Sequence, residues 1–266
     1  LSDYVVTEAG FGFDLGAEKF FDIKCQSAGI SPKAVVLVAT VRALKYHGEV
    51  SLKELNEPDA EAVARGCANL EKHLENIKQF GLPAVVAINR FTQDTDAEIE
   101  AIKNACERLG VKVVLAEVWA KGGEGGAELA QAVVDAVAQQ EKPFTPLYDW
   151  EWEVEEKIKT VATKIYGAKA IDYTLQAKRD LRKIKQLGLE KLPVCIAKTQ
   201  KSLSDNPKLL GRPKDFVVTV REIEIAAGAG FLIPITGNIM RMPGLPSKPA
   251  AENIDIDEQG NITGLF

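Results

Sequence analysis

The sequence is poor in the residues that bind metal ions and form disulfide bonds. Its 266 residues include only two histidines and four cysteines, and the cysteines are scattered, with no CxxC pair. These numbers are too small for a zinc site, so we expect no metal centre built from protein side chains. Reduced thiols are typical of a cytoplasmic protein.

Long apolar runs and a strong charge of either sign are also missing. No segment approaches the roughly 20 apolar residues that a membrane-spanning helix requires, and the N-terminus does not resemble a secretory signal. The formal net charge is −5, without a cluster of lysine and arginine. We therefore expect neither a membrane nor a nucleic acid as a partner. The length predicts about two compact units.

Two glycine-rich segments are candidate ligand loops, although neither matches GxGxxG or GxxxxGK[ST]. One carries four glycines at 122–126, between a strand predicted at 112–118 and a helix predicted at 128–140. Small molecules bind α/β proteins beyond the carboxyl ends of such strands. A flexible turn before a helix accounts for these glycines equally well.

The other segment lies near the start of the chain. Residues 4–7 are predicted to form a strand, residues 8–16 a turn with three glycines and two acidic side chains, and residues 17–25 a helix. A tight turn and close helix packing are again an alternative to a ligand loop. Because the chain opens on a predicted strand, we expect it to be part of a longer protein.

Alternating elements from residue 32 to residue 140 predict a parallel sheet with right-handed crossovers. Strands are predicted at 34–41, 84–88 and 112–118, with helices at 59–80, 96–109 and 128–140. The first strand is continuously apolar, which predicts that both its faces are covered. Arg42 and Lys45 follow it in a predicted turn, placed either to meet an anion or to form a solvated surface.

A proline-containing break at 141–148 predicts a domain boundary. Beyond it, helices are predicted at 154–166 and 175–187, and short strands at 194–197, 216–224 and 231–235. This order lacks the regular alternation of the first part, so we expect a mixed α+β arrangement.

Several local sequences along the whole chain are distinctive, and together they resemble formate–tetrahydrofolate ligase, also called formyltetrahydrofolate synthetase. They are TEAGFG at 7–12, VATVRALK at 38–45 followed by HG at 47–48, EVWAKGGEG at 117–125, KIYGA at 164–168, LPVCIAKT at 192–199, MPGLP at 242–246 and GLF at 264–266.

The resemblance implies an ATP-dependent ligase of one-carbon metabolism. In that reaction formate attacks the terminal phosphate of ATP to give formyl phosphate, and N10 of tetrahydrofolate then attacks the formyl carbon to give 10-formyltetrahydrofolate. It further implies Mg²⁺, a monovalent cation (K⁺ or NH₄⁺), and a homotetramer or another homo-oligomer.

The resemblance also assigns roles to residues. It implies that a slot for the flat pterin ring is formed by Phe91, Leu115 and Trp119. It implies that the catalytic segment at the formyl phosphate consists of Glu8, Gly10, Phe11 and Gly12. It implies that nucleotide and phosphate groups are bound by Arg42, Asn89, Lys121, Gly122 and Gly123.

Three positions depart from the family pattern: Glu49 replaces a glycine, Arg90 a small residue and Thr92 a proline. The family's phosphate-binding P-loop is also missing, since GxxxxGK[ST] occurs nowhere in the chain. The chain therefore resembles the C-terminal half of the enzyme. This implies the end of a P-loop-type nucleotide-binding domain at 1–75, an α/β folate-binding domain at 76–147 and an α+β domain at 148–266.

Without the P-loop, we expect this chain alone to be inactive and to work with the N-terminal half of the same enzyme. The alternative is a non-catalytic module that binds folate or serves assembly. We also expect a sheet edge to be exposed, at residues 4–7 or in the strand near residues 35–41.

Overall fold

The computed structural model describes residues 2–237, 239, 247–260 and 262–264. The MPGLP motif at 242–246 and the last two residues of the GLF motif lie outside this part of the chain. The described residues form a mixed α/β fold with a parallel first sheet.

The first sheet has three strands: β1 (Val35–Ala39), β2 (Ala84–Asn89) and β3 (Lys112–Ala116), in the order β1-β2-β3. Both pairs are parallel. Ala39 is opposite Ile88, and Asn89 is opposite Ala116. The carboxyl ends of all three strands therefore meet at one edge of the sheet, which we call the carboxyl edge. The parallel arrangement predicted from the alternating elements is confirmed.

Helices connect these strands and cover the sheet. α2 (Val41–His47) and α3 (Ala60–Gln79) lead from β1 to β2, and α4 (Asp96–Arg108) leads from β2 to β3. The α3 helix begins at its N-cap Asp59, whose side chain accepts a hydrogen bond from the N–H of Ala62. A β-carbon on Gly66 would lie 1.9 Å from the carbonyl oxygen of Leu44, so only glycine allows α2 and α3 to pack this closely.

The two faces of the first sheet are covered unequally. α6 (Ala127–Ala138) packs on β2 and β3 through Val85, Val114 and Ala132. In the described part of the chain, β1 has no such helix over this face, and the side chains of Val36 and Val38 are 38% and 63% exposed. The prediction that both faces of this strand are covered is wrong, although the expected exposed edge near residues 35–41 is present.

Three predicted strands differ from the structure: two end earlier than predicted, and one does not form. β1 stops at Ala39, because the side chain of Thr40 caps α2, so residues 41–47 are helical rather than a turn. β3 stops at Ala116, and Val118–Lys121 forms a short helix, α5. Residues 4–7 are extended and exposed but pair with no strand among the described residues, so the predicted strand there is wrong.

A helix at the start of the chain, α1, spans the π-helical segments Phe13–Ala17 and Phe20–Cys25 and a last turn, Gln26–Ala28. The predicted helix is therefore confirmed but begins four residues earlier. Phe13 and Phe21 contact Phe80, with ring centroids 5.9 and 4.8 Å away. α1 is thus packed against the C-terminal end of α3.

The rest of the chain forms a second, mixed sheet of β4 (Ala170–Tyr173), β5 (Val217–Ala226) and β6 (Phe231–Thr236). β4 is parallel to β5, and β5 is antiparallel to β6. β4 was not predicted, and residues 194–197 form only isolated bridges rather than a strand. A small sheet pairs β7 (Asp255–Ile256) with β8 (Ile262–Thr263).

The two predicted helices of this region are confirmed. α7 (Val154–Thr160) continues as the π-helical segment Val161–Tyr166, and α8 is Leu175–Gln186. The division of the chain at residues 75 and 147 stays a prediction. Within the described ranges, no helix combines the length and apolar character required to cross a membrane.

Candidate active site

The carboxyl edge of the first sheet brings together the three residues predicted to form a pterin slot. Leu115 is opposite Ile88 in neighbouring strands. Phe91 follows the end of β2 by two residues, and Trp119 follows the end of β3 by three. All three therefore lie at or just beyond the ends of adjacent parallel strands, where α/β proteins bind small molecules.

Two of these side chains are large aromatics left open to solvent. Trp119 is 76% exposed and Phe91 is 41% exposed, whereas Leu115 is partly buried against the core. Neither ring is stacked on another aromatic ring in the described structure. Exposed aromatic surface at the mouth of a sheet is suited to a flat apolar ligand.

The loop that carries Phe91 is held by its own backbone contacts. The N–H of Phe91 donates to Oδ2 of Asp94 at 2.8 Å, and the N–H of Arg90 donates to the carbonyl oxygen of Ala116 at 3.2 Å. Arg90 also pairs with Asp96 at 3.1 Å. Burial raises the pKa of Asp94. These contacts fix Phe91 relative to both strand ends.

The glycine-rich loop after β3 folds back on itself. The N–H of Glu117 donates to the carbonyl oxygen of Gly125 at 3.1 Å, and the Glu117 carboxylate accepts a hydrogen bond from Lys121 at 2.5 Å. The hydrogen bond from Lys121 lowers the pKa of Glu117. Gly122 has a φ of +59°, and residues Gly122–Gly126 form a 3-10 turn leading into α6. The expected open loop is therefore a compact helical turn.

We expect Gly125→Ala to disrupt this turn. A β-carbon at Gly125 would lie 2.4 Å from the carbonyl oxygen of Glu117, whereas one at Gly123 would meet nothing within 4 Å. Gly125→Ala should lower the free energy of unfolding by about 1–3 kcal/mol and shift the fluorescence of Trp119. Thermal denaturation and emission spectra measure both effects. Gly123→Ala is the matched control, and equal effects in the two variants would contradict the packing argument.

The residues predicted to bind nucleotide and phosphate also lie beyond this edge. Asn89 ends β2, and Lys121, Gly122 and Gly123 belong to the turn after β3. Arg42 is exposed in the first turn of α2, where its guanidinium donates to Oδ1 of Asn56 at 2.7 Å. The structure thus places all five residues at or after the ends of three neighbouring strands.

A buried ion pair below this edge was missed by the sequence analysis. Lys45 is not placed to meet an anion, because its ammonium contacts Glu98 at 2.9 Å and the carbonyl oxygen of Glu57 at 3.0 Å, and both side chains are buried. The Glu98 carboxylate also accepts hydrogen bonds from the N–H groups of Asp59 and Thr95, both at 2.9 Å. The spacing from Thr95 to Glu98 is a capping-box pattern and was the available signal.

The predicted catalytic segment containing Glu8, Gly10, Phe11 and Gly12 lies elsewhere. It is largely exposed, and Phe11 adopts a φ of +59°. A β-carbon on Gly12 would lie 3.6 Å from Cε1 of His73, in the C-terminal half of α3. The resemblance would place this segment at the carboxyl end of a strand, facing Trp119. Because α3 runs back toward the amino ends of the strands, Gly12 instead lies away from the carboxyl edge, and the catalytic role of the segment stays a prediction.

A second cluster of buried polar side chains lies along one face of α1. Asp14 pairs with Lys198 at 2.7 Å, and the Lys198 ammonium lies 5.0 Å from the centre of the Tyr166 ring. Glu18 and Asp22 follow on the same face of α1, and neither oxygen of Glu18 receives a hydrogen bond from a fixed donor. Burial raises the pKa of Glu18 to about 7 and raises that of Asp22 as well. The negative charge of Glu18 adds to the rise at Asp22, because like charges repel each other in a buried site.

The family model described as formate–tetrahydrofolate ligase matches residues 1–266, the whole chain.

Proposed function

Because the chain belongs to the formate–tetrahydrofolate ligase family, we propose that its carboxyl edge takes part in the ATP-dependent ligation of formate to tetrahydrofolate. The observation that supports this most directly is the pair of exposed rings, Phe91 and Trp119, beyond the ends of adjacent strands. A pterin placed between them would cover apolar surface that is now open to solvent.

The reaction also requires groups that bind phosphate. Transfer of the terminal phosphate to formate needs donors that neutralise charge on phosphate oxygens. Arg42, Asn89, Lys121, and the amides of Gly122 and Gly123 lie beyond the same strand ends and are proposed to contribute to that task. In the proposal 10-formyltetrahydrofolate forms by attack of folate N10 on formyl phosphate.

The proposed role of residues 8–12 at the formyl phosphate rests on the family resemblance. The family implies Mg²⁺ and a monovalent cation, and in the described part of the chain no three carboxylate, imidazole or thiolate groups converge that could hold a metal ion. Mg²⁺ would therefore be held mainly by the phosphates of ATP and by water.

A partner is proposed for the free edge of β1. This strand is at the end of the sheet, and Val36 and Val38 leave apolar surface beside unpaired backbone groups. An α/β segment that carries a P-loop, as in the N-terminal half of the family, could extend the sheet there. Cytoplasmic location and assembly into a homo-oligomer are part of the same proposal.

The second candidate function is a folate-binding or assembly module without catalysis. Because the GxxxxGK[ST] motif is missing, this second function is favoured for the chain in isolation. Titration with ATP and with tetrahydrofolate, each alone, separates the two: binding of folate only supports the module, and binding of both supports a partial catalytic site.

We expect Trp119→Ala to weaken tetrahydrofolate binding by about 1–3 kcal/mol, because stacking and apolar contact with the pterin are lost. Calorimetric titration of the purified chain measures this change. The fluorescence of Trp119 should also change on adding folate in a variant that lacks Trp150 and Trp152.

Trp152→Ala is the matched control, because Trp152 is partly exposed but lies outside the carboxyl edge. Equal folate affinity in wild type and Trp119→Ala, with both proteins folded, would exclude the proposed slot.

A further inference from the structure

A basic cleft lies between α3, the start of β4 and the loop before β5. Its volume is about 360 Å³. The lining contains four cationic side chains and only one carboxylate, in a protein whose net charge is negative. The lining residues are Lys72, Tyr166, Gly167, Lys169, Arg212, Pro213, Lys214 and Asp215.

Lys72 is the deepest cation of the cleft, with 7% of its surface exposed. Its ammonium donates to Oδ1 of Asn76 at 2.7 Å and to the carbonyl oxygen of Lys164 at 2.6 Å. Both acceptors are neutral, and in the described part of the chain no carboxylate lies within ion-pair distance of Lys72. Burial lowers the pKa of Lys72, and the nearby Glu75 carboxylate opposes this effect without contacting the ammonium.

The opposite wall of the cleft is held rigidly against α3. Arg212 makes a two-pronged contact with Glu75, at 2.8 and 2.6 Å. The N–H of Gly211 donates to Nδ1 of His47 at 3.1 Å, and Asn69 donates to the carbonyl oxygen of Gly211 at 2.9 Å. Burial lowers the pKa of His47 to about 4, which keeps its imidazole neutral as an acceptor. The guanidinium is therefore fixed before any ligand arrives.

The remaining cations, Lys169 and Lys214, are exposed at the rim. An anion in the cleft would face Lys72 at the bottom, Arg212 on one side and these two lysines at the mouth. The cleft is also separate from the carboxyl edge. Lys72 lies twelve residues into α3, about 18 Å along the helix axis from its first residue.

We propose that this cleft binds a small anion with several closely spaced negative oxygens, of the phosphate or polycarboxylate type. The bound anion supplies Lys72 with a directly contacting counter-charge and is held by charge-assisted hydrogen bonds from the surrounding cations. Such binding weakens as salt concentration rises.

Isothermal titration calorimetry of the full chain tests the proposal, with inorganic pyrophosphate as one probe and a tetraglutamate peptide as the other. We expect one equivalent to bind saturably at low salt. The preferred probe then distinguishes a phosphate-type ligand from a polycarboxylate. We expect Lys72→Met, and the rim double variant Lys169→Gln with Lys214→Gln, each to weaken binding about tenfold or more.

The matched control is Lys178→Gln with Lys183→Gln, which removes two exposed charges from α8. It should bind the probe as wild type does. The rim double variant keeps the test valid if Lys72→Met fails to fold, and its folate binding should be unchanged. No saturable binding of either probe, or equal weakening in the rim and control variants, would overturn the proposal.

Discussion

The chain of residues 1–266 alone should give no measurable turnover with formate, ATP, Mg²⁺ and tetrahydrofolate. In the proposed mechanism, formyl phosphate forms only if the terminal phosphate of ATP is held and its charge neutralised. No GxxxxGK[ST] motif is present to do so, and losing even one such donor costs roughly 10²- to 10³-fold in rate. A coupled assay for phosphate release and 10-formyltetrahydrofolate measures this.

The decisive comparison adds a separately expressed N-terminal half that carries the P-loop. Turnover only in the mixture would support the proposal that the N-terminal half holds the ATP phosphates and this chain holds folate. The Trp119→Ala variant in the mixture should then reduce turnover at limiting folate. Robust turnover by the lone chain would show that it contains a complete phosphate site.

The second large effect is a loss of folding stability, expected from Glu98→Ala. This change leaves the Lys45 ammonium buried with only the carbonyl oxygen of Glu57 and removes an acceptor for the N–H groups of Asp59 and Thr95. Breaking one partner of a buried pair typically costs about 3–5 kcal/mol. Urea denaturation at neutral pH measures the loss. Glu71→Ala is the control, because its contact with Arg108 at 3.5 Å is exposed and should contribute about 0–1 kcal/mol.

The same residue predicts the direction of acid sensitivity. Burial alone would raise the pKa of Glu98, but hydrogen bonds from Asp59, Thr95 and Lys45 outweigh it and lower the pKa to about 2. The stabilisation is therefore complete above the ordinary value of 4.5 and is lost as the pH falls from about 4.5 to about 2. A wild type and a Glu98→Ala variant with parallel stability curves over this range would contradict the assignment.

The sequence predicted the elements whose signals are local. α3 and α4 have an apolar stripe, a capping residue and a defined end, and β2 is an apolar run between turns, so periodicity placed them within two residues. The position of Phe91, Leu115 and Trp119 at the carboxyl edge followed from the same alternation. What they bind stays a prediction.

The errors arose where structure depends on distant residues. Residues 4–7 have the β-branched pattern of a strand, but a strand also needs a neighbour to pair with. β1 was expected to be covered on both faces because its run is apolar, yet α6 reaches only β2 and β3. The side chains of Asp14, Glu18 and Asp22 occur four residues apart, which resembles a solvated helix face until the packing of α1 shows that they are buried.

The carboxyl pair of Glu18 and Asp22 makes folding a proton-binding reaction. In the unfolded chain both groups lose their protons near pH 4, whereas in the native state burial raises the pKa of Glu18 to about 7 and raises that of Asp22 as well. The native state thus binds more protons than the unfolded state between these values, and the contribution of this pair to stability falls as the pH rises from about 4.5 to about 7. A shift of the surrounding pH from acidic toward neutral would therefore loosen the packing of α1, and with it the segment of residues 8–12 that precedes it.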